Sequence, residues 1–336
     1  MKKDISYSVL ELAIIGENKS LASTLAHTVE LAKSAEKAGY KRFWLAEHHN
    51  SKAIGSSATS ILIGKVADHT KTIRVGSGGI MLPNHSPLII AEQFGTLGTL
   101  YPNRIDLGLG RAPGTDQETA RAIKSDFYQA AMSFPQEVEK IEHYFAPQMD
   151  NVKVRANVAE GVNVPIYILG SSLDSAHLAA KKGLPYAFAS HFATQHLMNA
   201  METYHREFQP SKILSAPYTL AGVNIIVADT DEEAERISTT LYKMIISLLT
   251  GKRGFMEPAA EMTPQLREMK NHPSVQNMLK YSFIGSKTTV KREIKEFLNT
   301  TQVNELIAVT NTYDYNDRIK SYNYFAEIMK EINEED

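Results

Sequence analysis

The stretch ISYSVLELAIIGENKSLASTLAHTVELAKSAEKAGYKRFWLAE, residues 5–47, decides the fold. It opens on a β-rich run, ISYSVLEL (5–12), and passes into LASTLAHTVELAKSAEKAG (21–39), whose apolar residues recur at helical spacing. Gly39 stands where a helix would close in the left-handed conformation. A second β-rich run, KRFWLAE (41–47), follows directly. Two strands joined through a crossover helix pair in parallel. The alternation continues with TIRVGSGGIML (72–82), RIDLGLG (104–110), VPIYILG (164–170), LPYAFAS (184–190), GVNIIVA (222–228) and ELIAVTN (305–311), which makes eight strands. Helical patterns lie between them at 56–70, 86–101, 134–145, 173–183, 230–250 and 287–300, with a last one from about 315 to 332. Thr230 and the acids after it form a capped helix start. Eight alternating strands predict an α/β (β/α)8 TIM barrel, one domain over residues 1–336.

One interval breaks the rhythm. Residues 251–283 hold Gly251, Gly254, Pro258, Pro264 and Pro273, with Met256, Met262, Met269 and Met278 among them. The segment is long for a plain connection and apolar for a solvated linker. It reads either as a helical excursion or as a lid over the barrel mouth.

Composition narrows the function classes. Among 336 residues, 36 Lys and Arg oppose 38 Asp and Glu, a formal charge of −2, which argues against a nucleic-acid partner. The chain has no cysteine, so thiolate catalysis, disulfides and iron–sulfur clusters are excluded. No apolar run reaches the roughly 18 residues of a membrane span, and Glu11 interrupts the first apolar stretch, which reads as a strand rather than a signal peptide. A soluble, cytoplasmic protein is expected.

Glu47-His48-His49-Asn50 falls at the end of the second strand, and barrels carry their chemistry at the C-terminal strand ends. Neighbouring strand residues face opposite ways, so His48 and His49 are poorly placed to share a metal ion. His48 is then a proton-handling residue or a histidine satisfied within the fold. Gly108-Leu109-Gly110-Arg111-Ala112-Pro113-Gly114 is glycine-rich, but its third glycine comes one place late and Pro113 sits where a helix would begin, so it is not a dinucleotide fingerprint. Arg111 can reach a phosphate or carbonyl bidentately, unless it is a surface arginine on a tight turn. Gly170-Ser171-Ser172-Leu173-Asp174-Ser175 ends the fifth strand and opens a helix, an arrangement suited to an anion and equally to a plain serine cap. Gly76, Gly78 and Gly79 inside one strand point to close approach of another backbone or a ligand.

In this order and spacing, WLAEHH (44–49), GSGGIMLPNHSP (76–87), AEQF (91–94), NRIDLGLGRAPG (103–114), PIYILGSS (165–172) and GLPYAFASHF (183–192) resemble the bacterial luciferase-like flavin monooxygenases. The match runs nearly the whole length, and it is closer to the luciferase-like oxidoreductases than to light-emitting luciferase. The resemblance implies FMN at the C-terminal mouth of the barrel, reduced by a separate flavin reductase, and oxidation of a small apolar organic substrate with molecular oxygen. It implies that His48 stands near the reacting flavin. Ser77, Gly78 and Gly79 would lie behind the ring, where luciferase has a non-proline cis peptide. Arg111, Gly170, Ser171, Ser172 and Ser175 would serve the phosphate; no metal is implied.

Two departures stand out. The second phosphate-binding arginine of luciferase has no counterpart in SFPQEVEK (133–140), where Arg121 or Lys124 could substitute, and the pocket cysteine is absent. A deazaflavin-dependent oxidoreductase on the same barrel, or a flavin-binding protein without turnover, are the alternatives. Ala91, Gly95 and Gly98 form a stripe of small residues that suits close approach of another helix; a homodimer through the second and third helices is expected, with packing onto this chain's own barrel as the rival reading.

Overall fold

A computed structural model describes residues 4–149, 151–252 and 254–335. Its strands are β1 (Ser6–Glu11), β2 (Arg42–Leu45), β3 (Arg74–Ser77), β4 (Ile80–Met81), β5 (Ile105–Gly110), β6 (Ile166–Gly170), β7 (Tyr186–Phe188), β8 (Thr219–Ala228), β9 (Ser282–Ser286) and β10 (Glu305–Val309). All the strand pairings are parallel, and β10 pairs with both β1 and β8, which closes the barrel. The eight strands read from sequence are all present. The run at 72–82 is broken into β3 and β4 by a cis peptide between Gly78 and Gly79, and both pieces pair with β5.

The connecting helices start and stop where local chemistry dictates. Ser20 caps the helix Leu21–Ala38 by accepting from the Ser23 N–H, and Gly39 closes it at φ 90°. Thr230 caps Asp231–Thr250 in the same way, with Asp231, Glu232 and Glu233 in the first turn favouring the helix dipole.

The barrel interior is layered. At its N-terminal end the Arg42 guanidinium donates to Glu305 at 2.8 Å and to Asp106 at 2.7 Å, and Arg74 donates to Asp106 at 2.8 Å. Above this lies an apolar layer of Leu10, Trp44, Ala46, Tyr167, Ala187, Leu220, Ile307 and Val309. Trp44 and Tyr167 meet edge to face at 4.9 Å. Higher still, the two-residue alternation turns Gly78 and Gly110 inward, so the mouth is cleared of side chains on the β3–β5 side, while at β8 the inward Gly222 leaves its space to the His191 ring.

The small-residue stripe is covered within this chain. A Cβ at Gly95 would lie 2.6 Å from Ala159 Cβ and 2.7 Å from the Val158 carbonyl, and one at Gly98 would lie 2.7 Å from Val162 and Val164. Ala91 is buried with Ala156 and Ala159. The stripe therefore gives no reason of its own for a partner subunit.

Residues 251–283 carry helices Pro264–Lys270 and Pro273–Leu279 along the helix Asp231–Thr250. The last two residues of that interval belong to β9, which extends the sheet beside the upper half of β8, outside the closed barrel. Sequence reading missed this strand because SFIGS (282–286) is short and follows a proline-rich segment without a clear boundary. Met256 bonds through its backbone to Ile15 and Glu17, and Thr194 Oγ1 donates to the Asn277 carbonyl at 2.8 Å. The segment thus touches the loops after β1 and β7, both at the C-terminal mouth. Among the described residues no helix is long and apolar enough to cross a membrane.

Candidate active site

Glu47 organises the mouth. It is buried at the end of β2, and its carboxylate accepts from His49 Nε2 at 2.8 Å, His85 Nε2 at 2.9 Å, the Met81 N–H at 3.0 Å and Asn84 Nδ2 at 3.2 Å. Burial works against the charge, yet these donors outweigh it and hold the carboxyl down to about 2. One carboxylate therefore ties the β2 end to the loop after β4. Asn84 extends the tie by donating to the Pro113 carbonyl at 3.0 Å.

His48 and His49 part company, as their alternation requires. His49 turns out to Glu47. His48 donates from Nδ1 to the Gly114 carbonyl at 3.2 Å. A carbonyl can only accept, so the proton sits on Nδ1 and Nε2 keeps its lone pair. Burial lowers the His48 pKa below its ordinary value, although the Gly114 carbonyl and Glu47 pull the other way. The ring is neutral near pH 7, and Nε2 is the atom free to take a proton. Among the described residues no group of three His, Asp or Glu side chains is arranged to hold a metal ion.

The remaining expected residues fall into two groups. Arg111 Nη1 meets Asp174 at 2.9 Å on the surface, which brings it to the first turn of the helix Leu173–Lys182. Ser172 occupies the cap position there without giving the helix a side-chain hydrogen bond, and Ser171 is exposed beside it. Two other serines are committed to the fold. Ser77 Oγ donates to the Gly108 carbonyl at 2.9 Å and accepts from the Gly108 N–H at 3.0 Å, clasping β3 to β5 where the ladder breaks. Ser175 Oγ donates to the Ser172 carbonyl at 2.8 Å and fills the space that a side chain at Gly170 would need. Gly78 presents bare backbone above Leu10 and Trp44.

Sequence reading gave no role to His85, His191 or Asn311. Asn311 continues the inward series Ile307, Val309 beyond β10, and its buried Oδ1 has no hydrogen-bond partner. His191 follows β7 in the same mouth; burial, with a smaller push from His48, takes its imidazole down to about 4. Only alternation counted onward from the strand ends could have found these two.

The depressed imidazoles make the fold acid-sensitive. Unfolded, His48 and His191 would each protonate near pH 6.5. Below that pH the unfolded chain binds more protons than the folded one, so stability falls as pH drops toward the folded values. For His191 the loss is complete by about pH 4 and is on the order of 3 kcal/mol. The urea midpoint should stay level between pH 8 and 7 and drop between 6.5 and 4.5. A level midpoint throughout would contradict the burial of these rings.

Comparison with known proteins accords with this architecture. The family model for luciferase-like monooxygenases matches residues 9–302. The Escherichia coli K12 luciferase-like monooxygenase is 42% identical over 98% of both chains. The N-acetyl-S-alkylcysteine monooxygenase of Bacillus subtilis is 30% identical over 97% of this chain and 98% of its own. The crystal structure of apo-MsnO8 superimposes with a TM-score of 0.88 at 32% identity, covering 97% of this chain and 98% of that one. The strand order and the full-length matches agree: the chain belongs to the luciferase-like monooxygenase family.

Proposed function

We propose that the protein is an FMN-dependent monooxygenase that receives reduced FMN from a separate flavin reductase and oxidises a small, apolar organic substrate with molecular oxygen. One observation carries the reading: a single barrel mouth holds a glycine-cleared inner wall, a histidine with a free ring nitrogen, and an uncapped helix N-terminus beside an arginine. FMN, when bound, supplies the activation of oxygen. The chain supplies position. Gly78 and Gly79 leave room for a flat ring against the inner wall. Ser171, Ser172 and the first-turn N–H groups of the helix Leu173–Lys182 suit a phosphate, with Arg111 as its charged partner. The Arg111–Asp174 pair is exposed, worth at most about 1 kcal/mol, and is readily given up to a dianion. His48 Nε2 takes up and returns the proton that oxygen insertion requires.

Arg111→Ala should weaken FMN binding about tenfold or more, since a charge-assisted bond contributes on the order of 1.5–3 kcal/mol, and should hardly change riboflavin binding. Equal losses for both ligands would assign Arg111 to the ring or to the fold. Aerobic turnover of N-acetyl-S-alkylcysteines and alkanals with reduced FMN, read by incorporation of labelled oxygen, tests the reaction itself. Turnover with reduced deazaflavin and no labelled product would select the deazaflavin oxidoreductase instead. We also propose a homodimer, which light scattering at micromolar protein would confirm or refute.

A further inference from the structure

His191 is a partly buried polar side chain, its Nδ1 shut off from solvent, that the proposed mechanism does not use. The segment Ser190-His191 is pinned at two points. Ser190 Oγ donates to the Gly222 carbonyl at 2.6 Å, and Asn224 Nδ2 donates to the His191 carbonyl at 2.7 Å while also reaching Ser282 at 3.1 Å. The imidazole then meets β8 edge-on, with Nδ1 directed at Gly222. A Cβ at Gly222 would fall on His191 Nδ1, well inside contact distance, and would lie 3.3 Å from Cε1. The inward glycine is what gives the ring its place.

This placement bears on which nitrogen carries the proton. Nδ1 is shut off from solvent and has no hydrogen-bond partner. An N–H pointing at an α-carbon would waste a donor in an apolar contact, whereas a lone pair there makes a weak Cα–H contact. The neutral ring therefore keeps its proton on Nε2, the nitrogen at the opposite end of the ring from the Gly222 contact. Phe192 stacks edge-on against it at 4.9 Å and is about half exposed, an apolar surface beside the donor. His48 stands within electrostatic reach across the mouth with the reverse arrangement, its Nε2 bearing a lone pair. One wall of the mouth accepts a proton; the opposite wall offers one.

We propose that His191 is a specificity-determining residue whose Nε2–H donates to a neutral oxygen acceptor, of the carbonyl class, on the organic substrate, while Phe192 covers the adjoining hydrocarbon. Apolar molecules without such an acceptor leave the donor unpaired and bind worse. This deepens the monooxygenase reading and rests on it for the word substrate, but the geometry concerns the chain alone.

The test uses the intact protein labelled with ¹⁵N-histidine and two probes of matched shape, 2-heptanone and 2-methylhept-1-ene, in which CH2 replaces the carbonyl oxygen. At pH 7.5 the His191 ring should show a protonated Nε2 and an unprotonated Nδ1. The Nε2–H signal should move downfield with the ketone and not with the alkene, and the ketone should bind about tenfold tighter. His191→Phe should reduce that preference to less than about twofold. His191→Gln, which restores an N–H donor, should recover part of it. Gly222→Ala, which moves the ring without removing it, should lose it. A proton on Nδ1, a ketone preference that survives His191→Phe, or failure of both probes to bind at millimolar concentration would each overturn the proposal. No readout needs flavin or oxygen, so a protein that oxidises nothing can still pass and an active monooxygenase can still fail.

Discussion

Replacing His48 by alanine is expected to cut substrate oxidation by about a hundredfold while FMN affinity stays within a few fold. General acid–base assistance contributes roughly 10²–10⁴ in rate, and the lower end suits a site whose cofactor carries the difficult chemistry. The geometry separates the two effects. His48 is held by the Gly114 carbonyl, whereas the features suited to a phosphate are the Arg111 side chain, paired to Asp174, and the first turn of the helix Leu173–Lys182. Losing the imidazole should therefore leave cofactor binding nearly intact while removing the proton acceptor at Nε2. Reducing equivalents should then leave as hydrogen peroxide, so peroxide per flavin oxidised should rise as product falls. His49→Ala is the control. It removes one of the donors to Glu47 and should cost stability more than turnover. A His48→Ala enzyme with the wild-type rate and unchanged coupling would show that the histidine serves only the fold.

Much of this fold was legible because period and punctuation agreed. The eight barrel strands read as short β-rich runs, and Gly39 and Thr230 marked helix ends where capping chemistry leaves few choices. β9 was hidden because it lies outside the closed barrel and its five residues carry no flanking pattern of their own. The split of the third strand was anticipated only through family likeness, since three glycines in a run indicate unusual backbone without saying which kind. At the site, His48 and the turn at 170–175 were visible as motifs. The role of Glu47 was not: four donors converge on it from positions 49, 81, 84 and 85, and no local spacing reveals that convergence. Ser77 and Ser175 show the converse. Their letters suit a ligand, but a hydroxyl facing a neighbouring peptide is consumed by the fold.

The largest stability loss is expected from Asp106→Ala, at the closed end of the barrel. Asp106 is fully buried and accepts from Arg42 Nη1 at 2.7 Å, Arg74 Nε at 2.8 Å and Trp44 Nε1 at 3.0 Å. Glu305 takes the other face of Arg42 and also accepts from Tyr218 at 2.7 Å. Truncating Asp106 leaves two guanidinium groups with one carboxylate and strips the indole of its acceptor. Breaking a buried pair from one side costs about 3–5 kcal/mol, because the surviving charge stays buried without its counter-ion. Water cannot readily relieve this, since Leu10, Trp44, Tyr167 and Ile307 seal the layer above. Removing Arg42 as well is not expected to relieve the loss, because Glu305 is fully buried and would then lose its own guanidinium partner. Trp44 is the only tryptophan in the chain and bonds to Asp106, so its fluorescence reports unfolding from the centre of the network, with far-ultraviolet circular dichroism as the independent probe. A loss below about 1 kcal/mol for Asp106→Ala would mean that solvent reaches the barrel floor and that the ion network is not sealed.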